Sequence, residues 1–137
     1  METLSQLRDR DLQLAIVSNG RPALQFAAIE TLGIAAFFKA IALSQIEGFA
    51  KPDRRIFHLT LDRLGVAAQE AVFIGNHPYE DIQGAQQAGL RAIWKRDDYF
   101  GPCHFADGTI DELSELPDAL DGLFTASPRS APSPSPR

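Results

Sequence analysis

Cysteine is almost missing from this chain of 137 residues: Cys103 stands alone, so no internal disulfide can form, and with no Cys pair or Cys/His spacing there is no zinc site to consider. Cys103 itself reads as a stray thiol near the end of the fold. Positive charge is also scarce. Thirteen Lys and Arg against eighteen Asp and Glu leave a formal charge of −5, and no basic run could follow a nucleic-acid backbone, so neither DNA nor RNA is an expected partner. The longest apolar stretch, Leu32 to Leu43, is broken by Lys39 and falls well short of the about 18 residues of a membrane helix, so no membrane partner is expected either. The opening METLSQLRDRDLQ has no basic region followed by an apolar core, hence no secretory signal, and the cytoplasm is the expected location. Neither G-x-G-x-x-G nor G-x-x-x-x-G-K-[ST] occurs, which weighs against an unrelated nucleotide-binding α/β domain.

What is present is the balance of one ordinary globular domain, 45% hydrophobic and 23% charged, with a single core expected. The chain is organised around Ala71 to Ala88, AVFIGNHPYEDIQGAQQA. Ala71 to Ile74 form a continuous apolar run, as expected for a parallel strand buried on both faces. Gly75 then turns the chain, which displays Asn76, His77, Glu80 and Asp81 at the carboxyl end of the strand, where open α/β sheets bind their ligands. The helix that follows packs Ile82, Ala85 and Ala88 before Gly89.

The same unit recurs along the chain. Met1 to Arg10 reads as a short helix with Leu4 and Leu7 on one face. Leu12 to Val17 is a strand ending in Ser18-Asn19-Gly20, and Pro22 to Leu32 is the helix after it. A helix starting there offers backbone N–H groups and a positive dipole end to a phosphate oxygen, although Ser18 and Asn19 could equally do no more than shape the turn. Ala40 to Leu43 is the next strand, followed by a polar connection, Ser44 to Ala50. Pro52 holds Lys51 extended and starts a helix whose buried stripe is Ile56, Phe57, Thr60, Leu61 and Leu64, with His58 off the stripe and Gly65 at the end. Arg91 to Trp94 is a fourth strand, Lys95 to His104 a variable segment, and Phe105 to Ile110 a last short edge strand. Asp111 to Phe124 closes the fold as a helix interrupted by Pro117. Strands alternating with helices imply a Rossmann-like α/β fold, a parallel sheet with helices on both faces. Residues 125–137, TASPRSAPSPSPR, are dominated by Pro and Ser and are expected to be a disordered, passive tail.

VSNG, KPDRRIF and VFIGNHPYEDIQGAQQAGL, in that order and spacing, resemble the motifs of the haloacid dehalogenase (HAD) superfamily of hydrolases, over roughly Leu4 to Ile110. The resemblance implies that Ser18 supplies a hydroxyl to the transferring phosphoryl group, with the neighbouring Asn19 amide helping. It implies that Lys51, the catalytic and phosphate-binding cation, neutralises charge on nucleophile and phosphate. It also implies a Mg²⁺ site at Asn76 and Asp81. Asn76 departs from the family's usual Asp; its amide oxygen can ligate Mg²⁺ but lacks the charge that a hard cation favours. Glu80 could add a ligand or face solvent.

The first motif of the family, an Asp-x-Asp whose leading carboxylate attacks phosphorus to give an aspartyl-phosphate, has no counterpart here. Asp9-Arg10-Asp11 has the letters but follows no apolar strand and is not read as the nucleophile. The chain therefore reads, over residues 1–124, as a HAD-like core without its central nucleophile strand or a cap domain. The implied activity is that of a Mg²⁺-dependent phosphatase for a small phosphorylated metabolite when complete, and weak or absent metal binding and catalysis in this chain alone. Two other readings stand beside it: a short non-catalytic HAD-like protein used for partner binding, and a 2-haloacid dehalogenase. With the central strand absent, the expected responses are direct pairing of Ala15–Val17 with Val72–Ile74, or self-association through the exposed edges.

Overall fold

Among the described residues the apolar runs become five short strands and the periodic stretches between them become helices. The computed structural model describes residues 2–20, 33 and 35–125. The strands are β1 (Leu14–Ser18), β2 (Phe38–Leu43), β3 (Val72–Gly75), β4 (Arg91–Lys95) and β5 (Gly108–Ile110). The helices are α1 (Glu2–Asp9), α2 (Ser44–Glu47), α3 (Arg54–Leu64), α4 (Gly84–Gln87) and α5 (Leu116–Thr125). The helix expected over 22–32 lies outside the described residues, as does the expected tail apart from Thr125, which ends α5.

All pairings are parallel. Ile16 stands beside Ile41, Ile74 beside Ile93 and Trp94 beside Thr109. Parallel ladders need both faces covered, and they are. Along β4, Ala92 and Trp94 join one cluster with Ile56, Phe57 and Leu61 of α3 and with Ile82 and Ala85. Ile93, pointing the other way, joins Leu7 of α1 and Leu116 and Leu120 of α5. The period of two along a strand thus builds two cores from one sheet residue to the next.

The sheet is split. β1 pairs with β2, and β3 with β4 and β5, but no ladder joins β1 to β3. Between them lies a cavity of about 250 Å³, lined by both strands and by helices from both faces. Direct pairing of Ala15–Val17 with Val72–Ile74 is therefore not adopted. The expectation that Ala71–Ile74 is buried on both faces is corrected for the same reason: β3 and β1 are half-buried along their whole length, whereas β4, with a strand on each side, is buried at Ala92, Ile93 and Trp94.

Local chemistry sets the ends of the elements. Asp53 caps α3 by accepting the Arg55 N–H, and Gly65 closes that helix at φ +72°, where a side chain would be strained. Pro52 sits ahead of that cap, so it precedes the helix rather than opening it. Ser44–Ala50 is not wholly irregular, because α2 forms one turn within it. Pro117 lies in the first turn of α5, a position that needs no N–H, and does not interrupt the helix. The helix after β3 begins as a wide π-type turn, Pro78–Gln83, and tightens into α4. No helix among the described residues is long and apolar enough to cross a membrane.

Candidate active site

Three chain turns meet at the carboxyl ends of β1, β2 and β3. The first is Ser18-Asn19-Gly20. The Ser18 Oγ accepts the Gly20 N–H at 3.0 Å, which fixes the hydroxyl at the strand tip and leaves its own proton for another acceptor. Asn19 turns the other way. Its Oδ1 accepts the Lys51 N–H at 2.9 Å and its Nδ2 donates to the Lys51 carbonyl at 3.1 Å, with a longer bond of 3.4 Å to Glu80 Oε1.

Lys51 is thereby pinned by its backbone, and its side chain has one direction to go. The ammonium passes over the Phe73 ring, 5.5 Å from the centroid, and donates to Asp81 Oδ1 at 2.5 Å. Both side chains are nearly enclosed, 12% and 7% exposed, so this is a desolvated ion pair rather than a surface one. The second oxygen of Asp81 accepts the N–H groups of Asn76 and His77, each at 3.1 Å. One carboxylate thus closes the turn after β3 and faces the cation. The turn is possible because residue 75 is Gly: a Cβ there would run into the Asp81 carboxylate.

Asn76 is exposed and held from two sides. Its carbonyl accepts the Trp94 indole N–H at 2.8 Å, and its Nδ2 donates to Asp97 Oδ2 at 2.9 Å. Asp97 also accepts the Tyr99 N–H at 2.8 Å; that bond first, and the Asn76 amide second, hold its carboxyl below the usual range. His77 caps the π-type turn, its Nδ1 accepting the N–H groups of Tyr79 and Glu80. That ring nitrogen therefore carries no proton. Glu80 lies 4.0 Å from His77 Nε2 and accepts the Asn19 amide, with its side chain still 43% exposed to solvent.

The sequence-predicted residues Ser18, Asn19, Lys51, Asn76 and Asp81 thus lie at adjoining strand tips. The structure adds roles that the sequence did not suggest: the two-sided grip of Asn19 on Lys51, the ring of Phe73 beneath the ammonium, and the hold of Asp97 on Asn76. A signal for Asp97 existed. It follows the end of β4 by two residues, the same strand-tip position that singled out the others.

A hard cation such as Mg²⁺ takes about six oxygen ligands and keeps several waters among them. Asp81 and the Asn76 amide oxygen fit as two oxygen donors of a partial set. Among the described residues no group of three or more His, Cys, Asp or Glu converges as a metal site, and both Asp81 oxygens already have partners. Asp9-Arg10-Asp11 lies at the opposite end of β1 from Ser18, where Arg10 is tied to Asp121 at 2.8 Å, so it takes no part in the site.

The buried ammonium–carboxylate pair and the hydroxyl thus stand at the carboxyl ends of parallel strands, the end at which open α/β sheets bind ligands. The model of the haloacid dehalogenase-like hydrolases matches residues 1–89, and the chain belongs to that family. It is 41% identical over 91 residues to a phosphoserine phosphatase of Thermus thermophilus, covering 66% of this chain and 36% of that one. Among solved structures it is similar to a HAD phosphatase of Thermococcus onnurineus, at 32% identity and a TM-score of 0.83 over 89% of this chain and 56% of the other. It is also similar to a 2-haloacid dehalogenase of Pseudomonas syringae, at 36% identity and a TM-score of 0.75 over 90% and 52%. The chain spans 36% of the length of the first of these relatives and about half of the other two.

Proposed function

We propose that residues 1–124 are the phosphate-binding part of a phosphatase for a small phosphorylated metabolite, and that 125–137 are a passive appendix to it. The observation that carries this reading is Lys51, held by its backbone and directed by Phe73 and Asp81 into the space at the strand tips. In that position the ammonium neutralises charge on an incoming phosphate, while the Ser18 hydroxyl donates to one of its oxygens. Asn76 and Asp81 would hold Mg²⁺ together with water and a phosphate oxygen, and the ion would supply further positive charge there. The carboxylate that forms the aspartyl-phosphate is not among the residues of this chain, so the chain alone is expected to bind the anion without turning it over. The cytoplasm suits such a metabolite phosphatase.

The binding part is tested by titrating inorganic phosphate into the ¹⁵N-labelled chain. Saturable shifts of the Ser18, Asn19 and Gly20 amides, weakened in both Ser18→Ala and Lys51→Met, are expected. Shifts that are absent, or that survive both substitutions, overturn the reading. The likeness to the dehalogenase keeps a second reaction in view, the displacement of halide from a 2-haloacid. Release of chloride from 2-chloropropionate by the completed protein, without release of phosphate from phosphate esters, would decide for it.

A further inference from the structure

The carboxamide of Asn76 has a direction, and Asp97 sets it. Its Nδ2 donates to Asp97 Oδ2 at 2.9 Å. A carboxylate only accepts, so the amino end of the carboxamide must face Asp97 and Oδ1 must face away from it. The backbone N–H of Asn76 is taken by Asp81 and its carbonyl by the Trp94 indole, whereas Oδ1 accepts no hydrogen bond from the described residues. Asp97 is itself firmly seated. Its Oδ1 accepts the Tyr99 N–H at 2.8 Å, and its carbonyl accepts the N–H groups of Phe100 and Gly101 at 3.2 and 2.9 Å. The turn so formed lies against the turn after β3. The Phe100 ring sits 4.7 Å from that of His77, and Gly101 packs so closely on Trp94 that a Cβ there would come within 2.8 Å of the indole. Both carboxylate oxygens of Asp97 have protein partners, which suits it to be an anchor rather than a metal ligand.

We infer that Asp97 is a positioning residue for divalent-cation binding, and that Asn76 and Asp97 divide between them what a single aspartate would supply. Residue 76 gives the oxygen donor and residue 97 the negative charge. The inference rests on Asn76 and Asp81 as the Mg²⁺ donors proposed above. Three physical effects act together. With the amino end of the carboxamide held by Asp97, the oxygen does not exchange places with a nitrogen that a hard, oxygen-seeking cation would not accept. The carboxylate also polarises the amide it accepts from, which makes the carbonyl oxygen of a neutral ligand more basic. Finally, a negative charge one hydrogen bond behind the ligand attracts the cation without coordinating it. Removing an outer partner of this kind lowers metal affinity by about 10–100-fold.

The test titrates Mg²⁺ alone into the full ¹⁵N-labelled chain and follows the backbone amides of residues 76 and 77. A saturable shift is expected in the parent. Asp97→Asn keeps the shape of the side chain and an acceptor for the Tyr99 N–H, but it loses the charge, and its new amide can donate to Asn76 Oδ1. The Mg²⁺ midpoint should therefore rise about tenfold or more. Asp97→Ser, which also keeps an acceptor for that N–H, should show the same loss. In the Asn76→Asp background the charge already sits on the ligand, and Asp97→Asn should no longer weaken binding. A role confined to holding the 97–101 turn together would instead give the same factor in both backgrounds. Equal midpoints in the parent and Asp97→Asn, a loss of equal size in both backgrounds, or no Mg²⁺ shift in the parent overturns the inference. The phosphate-dependent shifts at Ser18, Asn19 and Gly20, read without Mg²⁺, judge the phosphatase reading separately.

Discussion

Asn19 holds both polar groups of the Lys51 backbone, accepting its N–H at 2.9 Å and donating to its carbonyl at 3.1 Å, although 32 residues separate them in the chain. The Lys51 ammonium is thus positioned by an amide on a different strand tip. Asn19→Ala leaves two partly buried backbone groups of Lys51 without protein partners and is expected to cost about 1–3 kcal/mol. Asn19→Asp keeps the acceptor but sets a carboxylate against the Lys51 carbonyl and Glu80, and should be at least as destabilising. Urea unfolding of the two variants checks both, and a neutral Asn19→Asp would show that the donated bond contributes nothing.

Lys51→Met leaves Asp81 enclosed with only its two backbone donors, an uncompensated charge whose cost is on the order of 3 kcal/mol. Lys51→Met combined with Asp81→Asn removes that charge while keeping an acceptor for the Asn76 and His77 N–H groups. The double variant should therefore be more stable than Lys51→Met alone, with a coupling of about 0.5–3 kcal/mol in a double-mutant cycle of unfolding free energies.

Gly75→Ala is expected to be among the most damaging single-methyl additions in the chain. The new Cβ meets the Asp81 carboxylate, and relieving that contact moves the carboxylate off the two N–H groups and off Lys51. Overpacking alone costs about 1–3 kcal/mol. Loss of exchange protection at the Asn76 and His77 amides would locate the damage at the turn; unchanged protection would contradict it.

Mg²⁺ should act differently on Asn76→Asp than on the parent chain. The substitution replaces a donor to Asp97 with a second carboxylate, so like charges face each other until a cation binds. The variant is expected to start with a lower Tm and to gain more from added Mg²⁺, because a ligand that binds the folded state stabilises it by mass action. An identical Mg²⁺ dependence of Tm in both proteins would remove residue 76 from the ligand set.

Acid titration isolates the α3 cap. The guanidinium of Arg55, then its backbone N–H, lowers the Asp53 pKa from 3.8 to about 2. A carboxyl depressed on folding gives stability that is complete above the unfolded value and is lost as pH falls through the folded one. The window here runs from pH 3.8 down to about 2. Asp53→Asn should flatten the pH dependence of the unfolding midpoint within that window and leave it unchanged near neutrality.

Strand tips were legible in the sequence because their signals are local: an apolar run, then Ser18-Asn19-Gly20 or Gly75-Asn76. The direction in which a tip side chain turns was not. Asn19 resembles a phosphate contact until the fold brings Lys51 beside it, and nothing within a few residues of either reports that meeting. The π-type turn at Pro78–Gln83 and the single turn of α2 are too short to impose a period on the sequence. Half-burial of β3 was missed because an apolar run records what a strand is suited to, whereas burial depends on the neighbour that occupies its other edge.

The bonds Lys51–Asp81 and Asn19–Glu80 join residues that follow strands of different half-sheets. They act as a clasp across the split as well as an electrostatic site. A deep mutational scan that reads only protein abundance should therefore score Lys51 and Asp81 as intolerant, just as a scan for activity would. At these two positions the abundance scan measures adhesion between the halves of the molecule.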